Sequence, residues 1–184
     1  AKIVFAGTRG QYGRARYLPV GEKHPQEPID INGIHCMAAE QYHLLYGTTH
    51  GLRVASLRLT NIYGPRHQMR HGRQGYLNWF VRLALEGKEI KVFAPGTQQR
   101  DFVYVDDAVA ALLRVAAPAA TCGEVFNLGS GAGISVLASA EAVIAAVGSG
   151  SVSVVPYPAE LQRVEIGDYR ADSRKLAGRC GWRA

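Results

Sequence analysis

The fold is decided by the stretch Val54-Ala55-Ser56-Leu57-Arg58-Leu59. It is a short, mostly apolar run that follows Gly51 and ends just before Asn61, which is typical of a buried strand. Working outward, comparable runs predict strands at 2–6, 90–93, 102–104, 125–128 and 152–155. Apolar residues at helical spacing predict a helix that ends at Gly51 and others at 76–85, 106–117, 136–147 and 173–180. Strands that alternate with helices predict an α/β sandwich with parallel pairing.

Composition and charge exclude several classes of protein. The formal net charge is +6, and one local basic cluster comprises Arg66, Arg70, His71 and Arg73. No aromatic-interleaved basic stretch or zinc-finger pattern accompanies it. A small anionic ligand explains such a cluster, so nucleic acid is not predicted as a partner.

Location and redox state are predicted from what the sequence lacks. No stretch approaches the roughly 20 apolar residues of a membrane helix, and no basic-then-apolar leader is seen, so we predict a cytoplasmic protein without a membrane partner. The three cysteines, Cys36, Cys122 and Cys180, show no CxxC spacing. They predict neither a disulfide framework nor a metal site.

Four segments carry a resemblance to a known family. The first is Arg58-Leu59-Thr60-Asn61-Ile62-Tyr63-Gly64-Pro65. The second is Gln99-Arg100-Asp101-Phe102-Val103-Tyr104-Val105-Asp106-Asp107, and the third is Val125-Phe126-Asn127-Leu128-Gly129-Ser130-Gly131. The tail adds Asp172-Ser173-Arg174-Lys175 and Gly181-Trp182. In this order and spacing they resemble the C-terminal portion of an extended short-chain dehydrogenase/reductase, of the NAD-dependent nucleotide-sugar epimerase/dehydratase type.

The resemblance implies a domain organisation. We expect a Rossmann-like three-layer sandwich that lacks the N-terminal nucleotide-fingerprint half and carries a small C-terminal substrate-binding α/β part. Residues 1–184 are expected to form a single incomplete domain, with the sheet portion at 1–60 and 90–130 and the substrate-binding portion at 61–89 and 131–184. Because Ala1 leads directly into an apolar strand, we interpret the chain as lacking an upstream segment.

The resemblance also implies substrate-binding residues. Arg100 matches the arginine that binds the substrate diphosphate, a role suited to a planar, permanently charged group; the alternative is an ion pair with Asp101 or Asp106. Asn61 follows the second strand, where ligands of open α/β sheets bind, although a turn-forming asparagine fits as well. Arg163 approximates the family's late substrate-binding arginine.

Two further positions are assigned by the resemblance to the reacting centre. Thr8, four residues before Tyr12, matches a residue that hydrogen-bonds the sugar hydroxyl or keto oxygen beside the cofactor, which a hydroxyl can do as donor and acceptor. The alternative is a threonine that caps the end of the strand. Tyr63 is expected on the cofactor side.

The chain departs from the family at its acid/base pair. The family has a tyrosine followed four residues later by a lysine on one helix face; the lysine binds ribose and lowers the tyrosine pKa. Here Asn32 and Cys36 occupy those catalytic positions, the latter also being a cofactor-binding position. An amide is not a general base near neutral pH, and a thiol does not replace an ammonium group.

Three interpretations of this departure stay open. Another group acts as the base, with Tyr12, His35 and Tyr63 as candidates; or the chain is a catalytically silent relative that binds a nucleotide sugar or a partner; or Cys36 is a surrogate nucleophile.

The cofactor and partners follow from the resemblance. NAD is the expected cofactor, and transient oxidation of a sugar carbon the expected chemistry. The dinucleotide fingerprint is missing, because Gly129-Ser130-Gly131 lacks the third glycine and the acidic residue that follows it. The expected partners are a nucleotide-diphosphate sugar and either a second copy, paired through the helix near Ile31 that carries Leu44 and Leu45, or a missing N-terminal half.

Overall fold

The computed structural model describes residues 1–72 and 75–184, so Arg73 of the basic cluster lies outside the described part. The helices are α1 (Ile31–His50), α2 (Tyr76–Leu85), α3 (Val105–Ala116), α4 (Val136–Val147), α5 (Ala159–Gln162) and α6 (Arg174–Cys180). The strands are β1 (Ile3–Thr8), β2 (Val54–Leu59), β3 (Asn61–Tyr63), β4 (Glu89–Phe93), β5 (Gln99–Arg100), β6 (Phe102–Tyr104), β7 (Glu124–Leu128), β8 (Ile134–Ser135) and β9 (Ser151–Val155). Within the described ranges, no helix has the length and apolar character needed to span a membrane.

The central sheet is parallel, with the order β1-β2-β7. Alternate residues of β2 face opposite sides, as the pleat of a strand requires. Ala55 and Leu57 belong to the core beneath α3, whereas Ser56 and Arg58 contact Glu40 of α1. Helices therefore cover both faces of the sheet, and the predicted three-layer α/β architecture is confirmed.

The described residues contain three apolar clusters, of which the two larger are the first and the second core; the third comprises Tyr12, Val20, Tyr169 and Ala171. The first joins the central sheet to α3 and α6, with Leu57, Phe126, Val115, Leu176 and Trp182 among its buried members. The second joins α2 and α4 to a two-stranded parallel sheet of β4 and β9, with Phe80, Ala84, Ile90, Val92 and Ala140 among its buried members.

Two elements pack across the domain division that the sequence suggested. Strand β4 lies within the predicted sheet portion, but it pairs with β9 and belongs to the second core. Helix α6 lies within the predicted substrate-binding portion, but Leu176 packs into the core of the central sheet. The cause is pairing between segments distant in sequence, which local composition does not reveal.

Most predicted elements match the structure. The bounds predicted for β2, α2 and α4 are those observed. Helix α1 begins earlier than its apolar spacing indicated, because the side chain of Asp30 caps it by accepting a hydrogen bond from Gly33 N at 2.6 Å. The short strands β3, β5 and β8 were not predicted.

Candidate functional site

The candidate site lies at the carboxyl edge of the central sheet. Strand β1 ends at Thr8, in register with the ends of β2 and β7. The chain leaves β2 through Thr60 and Asn61, whose side chains both donate to the carbonyl oxygen of Asp101, at 2.8 and 2.9 Å. Ligands of open α/β sheets bind outside this edge. The edge therefore brings together segments that lie far apart in the sequence.

The buried carboxylate of Asp101 organises the glycine-rich turn. Its Oδ1 accepts from the backbone N and Oγ of Ser130, at 2.8 and 2.7 Å, and its Oδ2 from the N–H groups of Gly131 and Ala171, at 3.1 and 2.9 Å. A Cβ on Gly129 would lie 2.5 Å from Asp101 Oδ2, so this position needs glycine. The carboxylate is committed to the turn and does not form the ion pair considered for Arg100.

Arg100 is held by the loop that precedes α6. Its Nη1 donates to the carbonyl oxygens of Gln99 and Gly167, at 3.0 and 2.6 Å, and its Nη2 to Oε1 of Glu165 at 2.5 Å. Tyr157 donates its hydroxyl to the other oxygen of Glu165. Burial alone would raise the pKa of Glu165, but Tyr157, Arg100 and the Gly167 N–H outweigh it, and the net shift lowers that pKa. Glu165 is therefore the anion that Arg100 binds in this structure.

Thr8 caps the 3₁₀ helix that follows β1. Its Oγ1 accepts from the backbone N of Gly10 at 3.1 Å, as the capping alternative indicated. A hydroxyl that accepts one hydrogen bond still has its own O–H to donate, so the capping contact leaves the predicted role possible. A Cβ on Gly33 would lie 2.5 Å from Gly10 O. The glycine at position 33 thus lets the turn after Thr8 approach the first turn of α1.

Asn32 and Cys36 lie on that first turn of α1. The Cys36 Sγ donates to Asn32 Oδ1 at 3.8 Å, as expected for positions four residues apart on a helix. Burial, with smaller contributions from Asp30 and Glu40, raises the pKa of the Cys36 thiol. The pair therefore offers an amide and a protonated thiol where the family has a phenol and an ammonium group.

The three candidate bases occupy different environments. Tyr12 is fully buried, donates to Asn127 Oδ1 at 2.6 Å and accepts from Arg58 Nη1 at 2.8 Å; its burial raises the pKa to about 12. It is therefore not placed to act as a base. His35 is exposed on α1. Tyr63 is partly buried and makes edge-on contacts with neighbouring rings on β6. Its predicted cofactor contact stays a prediction.

Glu165 and Arg9 are two charged residues of this site that were not predicted from the sequence, whereas Arg163 was. The side chain of Arg163 is exposed, and its carbonyl oxygen accepts from Arg14 Nη2 at 3.3 Å. Glu165, two residues further on, contacts Arg100 instead. Arg9 directly follows Thr8, and its Cζ lies 5.0 Å from the centroid of the Tyr169 ring. No sequence pattern pointed to Glu165. Arg9 could have been found from its position directly after Thr8.

The described residues do not by themselves form an NAD-binding site. The N–H groups of Ser130 and Gly131 point to Asp101, so this turn has none free to bind phosphate oxygens. Cys36 places a thiol, which carries no positive charge, at the position that the resemblance assigns to ribose binding. A complete NAD site therefore needs contacts that the described residues do not supply.

Comparison with known proteins identifies the family. The family model described as "NAD dependent epimerase/dehydratase family" matches residues 1–129. A putative UDP-glucose 4-epimerase of Methanocaldococcus jannaschii is 38% identical over 136 residues, which cover 73% of this chain and 43% of that protein. The chain spans about half the length of the curated relatives it matches.

Solved structures give the same result. Pal from Bacillus thuringiensis matches with a TM-score of 0.90 and 26% identity, over 99% of this chain and 57% of that one. The UDP-glucose 4-epimerase of Thermotoga maritima, solved with UDP-glucose, matches with a TM-score of 0.88 and 28% identity, over 100% and 58%. The predicted resemblance, the Rossmann-like fold and NAD as the cofactor of the family are confirmed. The chain belongs to the NAD-dependent epimerase/dehydratase family.

Proposed function

We propose that this chain binds a nucleotide-diphosphate sugar as the substrate-binding part of an NAD-dependent epimerase or dehydratase, in which a sugar carbon is transiently oxidised. The observation that supports it most is that Thr8 ends β1 in register with the end of β2, two residues before Asn61, and that Asn61 contacts the carbonyl oxygen of Asp101, the residue after Arg100. Hydroxyl, amide and guanidinium groups suit a ligand that combines sugar hydroxyls with phosphates.

Each residue has a role in this proposal. The O–H of Thr8 donates to the reacting sugar oxygen. Asn61 keeps one amide hydrogen after its contact with Asp101, and this hydrogen contacts the diphosphate together with Arg100. Arg163, exposed on the loop after α5, contributes a further positive charge to the ligand. NAD held by contacts from outside the described residues would supply a hydride acceptor, and Thr8 and Tyr63 would face it.

A second candidate function is a binding protein without catalytic activity. The observation that favours it is the Asn32–Cys36 pair, which supplies neither a base nor a cation. Retention of Thr8, Asn61 and Arg100 would then serve ligand binding alone.

Turnover distinguishes the two candidates. The purified protein is mixed with NAD and with UDP- or dTDP-sugars, and product sugars are separated by chromatography. The double variant Asn32→Tyr/Cys36→Lys restores the phenol and the ammonium group, and Asn32→Tyr alone is the matched control. Turnover by the wild type supports the enzyme, whereas turnover by the double variant only shows that the scaffold is intact and that the natural chain is catalytically silent. Silence of both, with binding of NAD and of the nucleotide sugar each shown to be intact, supports the binding protein.

Binding of NAD⁺ and NADH to this chain alone is the accompanying measurement. Micromolar affinity would show that contacts within the chain, or within a homo-oligomer of it, replace the missing fingerprint. Absence of binding is expected, because the glycine-rich turn is committed to Asp101.

We also propose that α1 mediates self-association. Ile31, Ile34, Tyr42, Leu45 and Tyr46 of this helix are exposed large apolar side chains, whereas Leu44 is partly buried. Light scattering on the wild type and on Leu45→Lys tests this; a dimer that the substitution dissociates supports it, and a wild-type monomer opposes it. A cytoplasmic location and the lack of a nucleic-acid partner stay predictions.

A further inference from the structure

Arg9 is a cation enclosed at the carboxyl edge of the sheet. It begins the 3₁₀ helix directly after β1, and its guanidinium stacks over the Tyr169 ring. Its Nη1 is buried and has no hydrogen-bond partner among residues 1–72 and 75–184. Because buried N–H groups nearly always have a partner, this donor calls for an explanation.

The charges around Arg9 do not balance. Arg100 and Arg9 interact repulsively, and the one nearby carboxylate that pairs with a guanidinium is that of Glu165, which contacts Arg100. Within the described residues, no carboxylate lies within 4.0 Å of Arg9 nitrogen atoms. Burial, followed by the charge of Arg100, lowers the pKa of Arg9 to about 10. Arg100 thus takes the carboxylate of Glu165, and the charge of Arg9 has no direct carboxylate partner among the described residues.

Packing alone does not account for this arrangement. The contact with the face of Tyr169 is favourable for a cation, but it gives Nη1 no acceptor. A buried charge without a partner destabilises a fold, and an apolar side chain would pack on the ring without that cost. The missing component is therefore an acceptor with negative charge.

The surroundings allow a ligand to supply that acceptor. Arg9 follows Thr8 at the edge where ligands of such sheets bind. Glu165 and Gly167, which hold Arg100, also line an open cleft of about 650 Å³. Arg14, Arg16 and Asp168 line the same cleft, so its wall carries charges of both signs, and Arg9 is not part of that wall.

We propose that Arg9 is a specificity-determining residue that, beside Arg100, binds an oxyanion of the ligand. This inference rests on the proposed function for the identity of the ligand: the oxyanion is either the diphosphate of the nucleotide sugar or a carboxylate on the sugar itself. Arg9 differs from Arg100 because no carboxylate in the described part of the chain pairs with the Arg9 guanidinium, so its charge is available to the ligand.

The test is isothermal titration calorimetry on the whole chain with four probes: UDP-glucose, UDP-glucuronic acid, UDP and inorganic pyrophosphate. Arg9→Met removes the charge and keeps an apolar side chain over Tyr169. Arg53→Met, at an exposed position beside β2, removes the same charge from the surface and is the matched control. Should Arg9→Met fail to fold, Arg9→Gln, which keeps a donor in place, takes its role.

The outcomes separate the sources of the oxyanion. If Arg9 binds the diphosphate, Arg9→Met weakens all four probes at least tenfold. If it binds a sugar carboxylate, only UDP-glucuronic acid loses affinity, and the wild-type preference for it over UDP-glucose disappears. Arg53→Met binds as the wild type does in both cases.

The same titrations test the nucleotide-sugar function and the oxyanion site separately. Should no nucleotide bind while pyrophosphate binds and Arg9→Met loses it, the oxyanion site stands and the nucleotide-sugar function falls. The inference is overturned if Arg9→Met binds every probe as the wild type does, or if the wild type binds none. Thermal unfolding without ligand adds a second readout: removal of an unpaired charge leaves the midpoint unchanged or raises it, whereas a purely structural Arg9 predicts a fall.

Discussion

Arg100 and Glu165 form an ion pair of 2.5 Å at the carboxyl edge of the sheet, with only 8% and 20% of their side chains exposed. The arginine that family resemblance assigns to the substrate diphosphate thus already holds an anion of the protein. A ligand phosphate must displace this carboxylate or share the guanidinium with it. The pair therefore sets both the affinity for an anionic ligand and the stability of the loop around Glu165.

Neutralising Glu165 is expected to strengthen ligand binding. Glu165→Gln removes the carboxylate that competes for Arg100 and should tighten UDP-glucose binding several-fold, whereas Arg100→Met should weaken it at least tenfold. Titration calorimetry measures both. Glu160→Gln, an exposed change of equal charge on α5, is the control and should leave affinity unchanged. Weaker binding by Glu165→Gln would contradict the competition.

The same carboxylate gives the stability a predictable pH dependence. The folded pKa of Glu165 is lowered, so its contribution is fully present above its ordinary pKa of 4.5 and is lost as the pH falls through the lower, folded value. The difference in unfolding free energy between the wild type and Glu165→Gln should therefore be constant from pH 7 to about pH 5 and shrink below that. Urea unfolding at pH 7, 5 and 3.5 measures it, and a difference that grows on acidification would refute the assignment.

The parts of the fold that the sequence predicted are those that local pattern determines. The bounds of α2 and α4 follow from apolar spacing and from a glycine at the end, and β2 follows from a buried run. The register that places Asn32 and Cys36 four residues apart on a helix is likewise local. The positions of Thr8 and Asn61 at strand ends needed only the strand predictions and a general rule about parallel sheets.

The parts that were missed depend on contacts distant in sequence. The Arg100–Glu165 pair joins residues 65 apart, and β5 and β8 exist only because Gln99 and Arg100 pair with Ser135 and Ile134. The resemblance suggested Arg163 from its approximate position. No local signal marks Glu165 as the side chain that reaches Arg100. Arg9 was not among the predicted site residues, and its enclosure depends on Tyr169, which is distant in sequence.

Breaking the buried ion pair between α1 and β2 is expected to destabilise the fold strongly. Glu40 accepts from Arg58 Nε and from Ser56 Oγ, and the two charged side chains are 0% and 5% exposed. Removing one partner leaves a buried unpaired charge, so Glu40→Gln or Arg58→Met should cost about 3–5 kcal/mol of unfolding free energy. Urea denaturation measures this cost.

Two variants make that prediction specific. Glu40→Met/Arg58→Met leaves no buried charge and should regain most of the loss, because apolar replacements of buried ion pairs are often neutral. Arg53→Met, exposed and adjacent to the same strand, should change stability by less than about 0.5 kcal/mol. A loss of that small size in Glu40→Gln would show that the pair contributes no more than a surface contact.

Cys36 is expected to be a poor nucleophile, which bears directly on the interpretation that it replaces a catalytic residue. Burial raises the pKa of its thiol above the ordinary value of 9.0, and the carboxylates of Asp30 and Glu40 act in the same direction. Because the thiolate is the reactive form, alkylation by iodoacetamide near pH 7 should be slower than that of glutathione. In a variant with Cys122 and Cys180 replaced by alanine, the rate should rise with pH to a midpoint above 9. A midpoint near neutrality would instead assign Cys36 a chemical role, and the Asn32–Cys36 pair would then have to be regarded as a substitute reacting centre.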